Sequence, residues 1–173
     1  MIVKSLIYTC GVLLWSLYSL GQTETTSSFT FPSCDIFDPQ GNQVSSDQIT
    51  NDQQPILVII WATWCHHSLD GMNSIMEDYY DDWQEQYGLK IVAISVDDSR
   101  NTQKVVPLYN GNGWEYELYL DPNADLKRKL GVTAAPHLFV LNGDRRIIWQ
   151  QNSMNPGDED KIAGVLEEHF AQK

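Results

Sequence analysis

The six positions Ile56 to Trp61 are apolar without interruption, and a short β-branched run of this kind reads as a strand covered on both faces. Leu89 to Val96 alternates only weakly and is also β-branched, so it predicts a second buried strand, and Trp114 to Leu120 predicts a third. Between them the period lengthens. Cys65 to Tyr87 is helical in pattern, with Gly88 placed to end it. Asp97-Asp98-Ser99 is a cap for a helix reaching about Tyr109, whose regular part Pro107 is expected to end early. Ala124 to Leu130 predicts a short helix closed by Gly131, and Asp158 to Phe170 an amphipathic final one. Two hairpins complete the pattern. Cys34 to Phe37 and Asn42 to Val44 flank Asp38-Pro39-Gln40-Gly41, while His137 to Leu141 and Arg146 to Gln150 flank Asn142-Gly143. Strands alternating with helices, then a hairpin and a helix, predict an α/β sandwich with mixed strand directions.

The first residues have a different character. Lys4 is followed by an apolar stretch from Leu6 to Leu20 with no charge, and Ser19-Leu20-Gly21 supplies small residues for cleavage. This predicts a secretory signal peptide over 1–21 and an exported, periplasmic protein. The stretch is short for the roughly 20 residues of a spanning helix. A polar linker over 22–30 then leads into one domain over 31–173. Loss of the leader removes one cation, leaving 10 Lys plus Arg against 23 Asp plus Glu, a balance of −13. Such a charge argues against nucleic acid as a partner. Of three cysteines, Cys34 and Cys65 remain in the expected mature chain, too few for a disulfide scaffold.

Cys65 lies within the stretch Trp61-Ala62-Thr63-Trp64-Cys65-His66-His67-Ser68, at the point where the buried strand gives way to a long helix. A cysteine so placed lies near about half a positive charge and several unpaired N–H groups, both of which favour thiolate. His67 and His66 can add donors or partial charge, and the Ser68 hydroxyl can donate to the sulfur. Trp64 is an apolar platform beside it. A dithiol site of the Cys-x-x-Cys type would carry its second cysteine where Ser68 stands.

The residues from Phe31 to Phe170 resemble the thioredoxin superfamily, most closely the exported TlpA/ResA-like thiol-disulfide oxidoreductases. The resemblance is carried by Trp61-Ala62-Thr63-Trp64-Cys65, Ile91-Val92-Ala93-Ile94-Ser95-Val96-Asp97-Asp98, Leu130-Gly131-Val132, Ala135-Pro136 and Phe139-Val140-Leu141-Asn142-Gly143-Asp144. It implies a thioredoxin-like three-layer sandwich, a mixed central sheet flanked by helices with an extra N-terminal β-hairpin. It further implies a cis-proline at Pro136 and a substrate groove formed by Trp64, Ala135, Pro136 and His137. The departures are coherent. Besides Ser68, the proline usually found before the second cysteine is His67, thioredoxin's buried acid falls on Ile59, and the glutamate often found six residues after the first cysteine falls on Gly71. Groups that would handle protons for a second thiol are missing together with that thiol.

Cys65 can still attack a disulfide, giving a mixed disulfide. With no adjacent second thiol, release must come from the substrate's own cysteine, which is isomerisation, or from an external small thiol or a membrane reductant donor. The expected partners are therefore protein thiols or disulfides, with no cofactor. Cys34 is an internal resolver only if the hairpin lies close to the site. A peroxidatic role would want threonine where Ala62 stands. Two other readings stay open: a Cu(I) or Zn(II) site from Cys65, His66, His67 and His137, and a non-catalytic adaptor that holds partners in the groove.

Overall fold

The computed structural model describes residues 29–171. The expected signal peptide, most of the expected linker and Cys10 lie outside the described residues. Phe29 and Thr30, at the linker's end, are already part of the domain. The Phe29 carbonyl accepts from the Ile147 N–H at 2.9 Å, and Thr30 bridges to Arg146.

Seven strands form one sheet in the order β2-β1-β5-β4-β3-β6-β7. The strands are β1 (Asp35–Phe37), β2 (Gln43–Ser45), β3 (Ile56–Trp61), β4 (Lys90–Ser95), β5 (Glu117–Leu120), β6 (His137–Leu141) and β7 (Ile147–Gln151). β3, β4 and β5 run parallel, while β6 and β7 on one side and β1 and β2 on the other complete a mixed sheet through antiparallel pairs. Every residue of β3 is buried, because period-two alternation sends its side chains to two separate cores. Leu57, Ile59 and Trp61 pack with the helices α1 (His66–Asp78), α2 (Tyr80–Tyr87), α3 (Val105–Gly111) and α5 (Asp158–Phe170). Ile56, Val58 and Ile60 pack on the other face against Phe31, Cys34, Ile36, Ile49 and Leu126 of α4 (Asp125–Lys129). The result is the three-layer, thioredoxin-like sandwich with its N-terminal hairpin.

Several boundaries differ from the sequence expectation. The helix over 65–87 is broken at Tyr79, whose backbone leaves the helical region at φ −131°. The break corrects the burial phase. α1 buries Ser68, Gly71, Met72 and Ile75, a spacing that would next place 78 or 79 inward, whereas α2 buries Tyr80, Trp83 and Tyr87. Gly88 does end the pair, at φ +63°. Pro107 does not terminate α3; it is the third residue of that helix, where the N–H it lacks has no intrahelical partner. A single 3-10 turn, Thr102–Lys104, precedes it. Trp114 stands before β5, its indole edge-on to Trp61 at 5.3 Å and its Nε1–H donating to Asn73 at 2.8 Å.

The β6–β7 connection also uses its residues unexpectedly. Positive φ falls on Arg145, not on Gly143. Gly143 is required for space, since a Cβ there would lie 2.4 Å from the Gln53 Cα.

Candidate functional site

Parallel β3, β4 and β5 deliver their carboxyl ends to one edge of the sheet, and antiparallel β6 begins there, His137 pairing with Ile60. Topology thus brings the loop after β3 and the Ala135-Pro136 segment before β6 to the same place, the usual site position in open α/β sheets. The Ala135–Pro136 peptide is cis. Cys65 is the N-cap of α1. Its own N–H bonds back to the Ala62 carbonyl at 3.0 Å, and its carbonyl accepts from Ser68 and Leu69 at 3.0 and 3.2 Å, which launches the helix. The Cys65 thiol donates to the Ala135 carbonyl at 3.4 Å. Cys65 itself is buried, 9% exposed.

The expected neighbours are distributed unevenly. Ser68 is fully buried, one helical turn from Cys65, and its hydroxyl has no hydrogen-bond partner. The Ser68-to-sulfur hydrogen bond expected from the sequence is thus not formed in this state. His66 and His67 are exposed at the helix start. Trp64 is 63% exposed, so its indole lies at the surface and is not core filling. His137 turns away: its ring stacks on Phe139 at 4.6 Å, and its Nε2 lies 3.3 Å from the Gln150 Oε1 on β7. Burial pushes the His137 imidazole below its ordinary value, with the Gln150 contact opposing. The quartet Cys65, His66, His67 and His137 is not assembled as a ligand set. Among the described residues no three His, Cys, Asp or Glu side chains are grouped to hold a metal ion.

Cys34 is held elsewhere. It immediately precedes β1, which β5 and β4 separate from β3, three spacings of about 4.8 Å, or roughly 14 Å. A disulfide needs Cα atoms within about 7 Å, and both thiols are free.

Two features of the site escaped sequence reading. Gly71, where the related proteins often carry glutamate, is occupied from outside by Met154: a Cβ at Gly71 would lie 2.4 Å from the Met154 Cγ and Sδ. The second is Asp97, expected as a helix cap. It is instead buried under the Cys65 loop, accepting from the Thr63 N–H at 2.8 Å and the Thr63 hydroxyl at 2.6 Å. Its place in the Ile91-to-Asp98 segment gave a signal of importance but no indication of its partner.

A family profile described as thioredoxin-like matches residues 52–147, which is more than half of the chain. The chain belongs to the thioredoxin-like family. Within it the TlpA/ResA-like resemblance holds. The chain is 29% identical over 124 residues to the thiol:disulfide interchange protein DsbE of Yersinia pestis, covering 65% of this chain and 62% of that protein. The chain therefore spans less than two thirds of that relative's length. Among solved structures, a thioredoxin-like protein from Porphyromonas gingivalis superposes with a TM-score of 0.72 at 33% identity, over 81% of this chain and 91% of the other. A thiol:disulfide interchange protein DsbE from Chlorobium tepidum, at 19% identity and TM-score 0.67, shares the fold over 80% of this chain and 96% of its own.

Proposed function

We propose that this thioredoxin-like protein is exported and carries out monothiol thiol-disulfide exchange or isomerisation on protein substrates through Cys65. The observation that carries the reading is the pairing at the cleft. The Cys65 thiol opens α1 and bonds to the Ala135 carbonyl, while the position a second thiol would occupy holds the buried, unpartnered hydroxyl of Ser68.

The Cys65 thiolate attacks one sulfur of a substrate disulfide. That S–S bond breaks, a Cys65–substrate disulfide forms, and the other substrate sulfur leaves as thiolate. Ser68 is poised to donate to the sulfur as charge develops on it, and the exposed His66 and His67 add donors at the helix start. Ser68 has no thiol to expel the substrate. Resolution falls to a different cysteine of the substrate, whose thiolate attacks the mixed disulfide, forms a new substrate disulfide and expels Cys65 as thiolate, which is net isomerisation, or to an external small thiol, two equivalents of which are oxidised as the substrate disulfide is reduced. Trp64, Ala135 and Pro136 form the groove that presents the substrate sulfur. The names of the DsbE relatives support disulfide chemistry, and the apolar stretch Leu6 to Leu20 supports export.

The test is trapping. Purified protein mixed with a peptide disulfide should accumulate a mixed disulfide at Cys65, identified by peptide mass and released by a small thiol. The exposed Trp64 favours one competing reading, a groove that binds partners without chemistry. Absence of adducts in the wild type, with partners retained by Cys65→Ala, would establish that reading instead.

A further inference from the structure

We propose that Asp97 is a positioning residue for Cys65: its buried carboxylate clamps Thr63 and so fixes the loop that presents the thiol at the start of α1. The proposal rests on Cys65 being the reacting group.

Asp97 follows the end of β4 and is 1% exposed. Its Oδ2 accepts from the Thr63 N–H and from the Ser95 hydroxyl, both at 2.8 Å, and its Oδ1 accepts from the Thr63 hydroxyl at 2.6 Å. The acceptor is itself held: the Asp97 N–H donates to Ser95 Oγ at 3.2 Å, and its carbonyl accepts from the Thr102 hydroxyl at 3.2 Å. Among the described residues no ion pair compensates the charge. A carboxylate removed from water is costly, and an apolar residue of similar size is often as good or better for stability. What the carboxylate supplies that an apolar residue cannot is direction. Two bonds to one residue set both the backbone and the rotamer of Thr63, two positions before Cys65, in a loop closed by the Cys65 N–H to Ala62. β3 alone does not determine where that loop goes; the neighbouring strand does.

As a charge alone, Asp97 would oppose a nearby thiolate. As a clamp it keeps the sulfur at the helix start and against Ala135. The two roles therefore predict opposite signs for the same substitution.

Alkylation of the full chain by iodoacetamide at neutral pH, followed by peptide mass at Cys65, reads the thiol without needing a substrate. Asp97→Asn keeps the size but replaces one of the two acceptor oxygens by an NH2 donor, which cannot accept from Thr63, and should slow Cys65 alkylation about tenfold, part of the roughly hundredfold that an ångström of misplacement can cost. Thr63→Val should slow it less, and Thr63→Ser should restore the wild-type rate. A purely structural role would lower the melting temperature of both Thr63 variants in proportion while leaving the rate of folded protein unchanged. An Asp97→Asn protein that folds and alkylates as fast as, or faster than, wild type overturns the proposal. So do Thr63→Val and Thr63→Ser variants with equal rates, a comparison that decides the matter even if Asp97→Asn fails to fold. Failure of the exchange reading is seen separately, as a wild type that alkylates yet forms no adduct with the peptide disulfide.

Discussion

Cys34 and Cys65 are each 9% exposed, yet their surroundings differ in every respect that matters to a thiol. Cys34 precedes β1, with its N–H donating to the Ser46 hydroxyl at 2.9 Å and its sulfur resting 3.6 Å from the Asp35 carbonyl. It packs in the core face formed by Ile36, Ile49 and Leu126. Burial pushes the Cys34 thiol above its ordinary value; Lys129 opposes this, and Asp121, Asp125 and Asp35 add to it. Cys65 instead opens a thirteen-residue helix, follows an exposed tryptophan and bonds to the Ala135 carbonyl. Equal exposure therefore says little about reactivity. The element a cysteine begins, and the charges facing it, say much more.

The strongest way to break this contrast is to remove each thiol. Cys65→Ala should abolish mixed disulfides with a peptide substrate, whereas Cys34→Ala should leave their yield unchanged by mass spectrometry. Adducts that persist in Cys65→Ala would transfer the chemistry to Cys34. Next in size, Ser68→Cys supplies a resolving thiol one turn from Cys65. Turnover in an insulin reduction assay should appear where the wild type shows little, and the mixed disulfide should cease to accumulate. A variant that still accumulates adducts would show that the cleft, and not the missing thiol, limits resolution.

The helix bearing Cys65 gives a smaller effect. Gly71→Ala drives a methyl group into Met154, and such overpacking costs about 1–3 kcal/mol. Urea unfolding should register that loss, and Met154→Ala added to it should recover part of it. At Cys34 the expected effect is one of pH. Its folded-state value is raised above the ordinary 9.0, so the folded chain holds the proton more tightly than the unfolded chain. This contribution is complete below pH 9.0 and is lost as pH rises through the folded value. Cys34→Ala should flatten the alkaline fall in melting temperature relative to wild type. The smallest effect concerns Asp47, next in the chain to the Ser46 that accepts from the Cys34 N–H. Asp47 is held down to about 2 by hydrogen bonds from Ser33, Arg145 and Ser45. A depressed carboxylate stabilises above its ordinary 3.8 and loses that contribution as pH falls toward 2. Asp47→Asn should therefore melt slightly below wild type at neutral pH and converge with it in acid.

Local pattern alone determined a good part of this molecule. The apolar run gave β3 over Ile56–Trp61, a period of 3.6 gave α5 over Asp158–Phe170, and the Trp61-to-Ser68 motif placed Cys65 at the head of α1. Each is decided by neighbours a few residues away, through alternation, periodicity and capping, so each is legible along the chain. Tertiary structure decided the rest, because the partners are distant in sequence. The break at Tyr79 answers to burial against other elements, and Gly71 answers to Met154 arriving from beyond β7. His137 follows the pleat of β6, which stacks it on Phe139 and sends it to Gln150, away from any ligand set with Cys65. Asp97 reads as a helix cap in sequence and becomes a clamp only because β4 lies beside β3, bringing a carboxylate to Thr63 across 34 residues of chain. A hydrogen bond of that span has no periodic signature, and only the register of the sheet determines it.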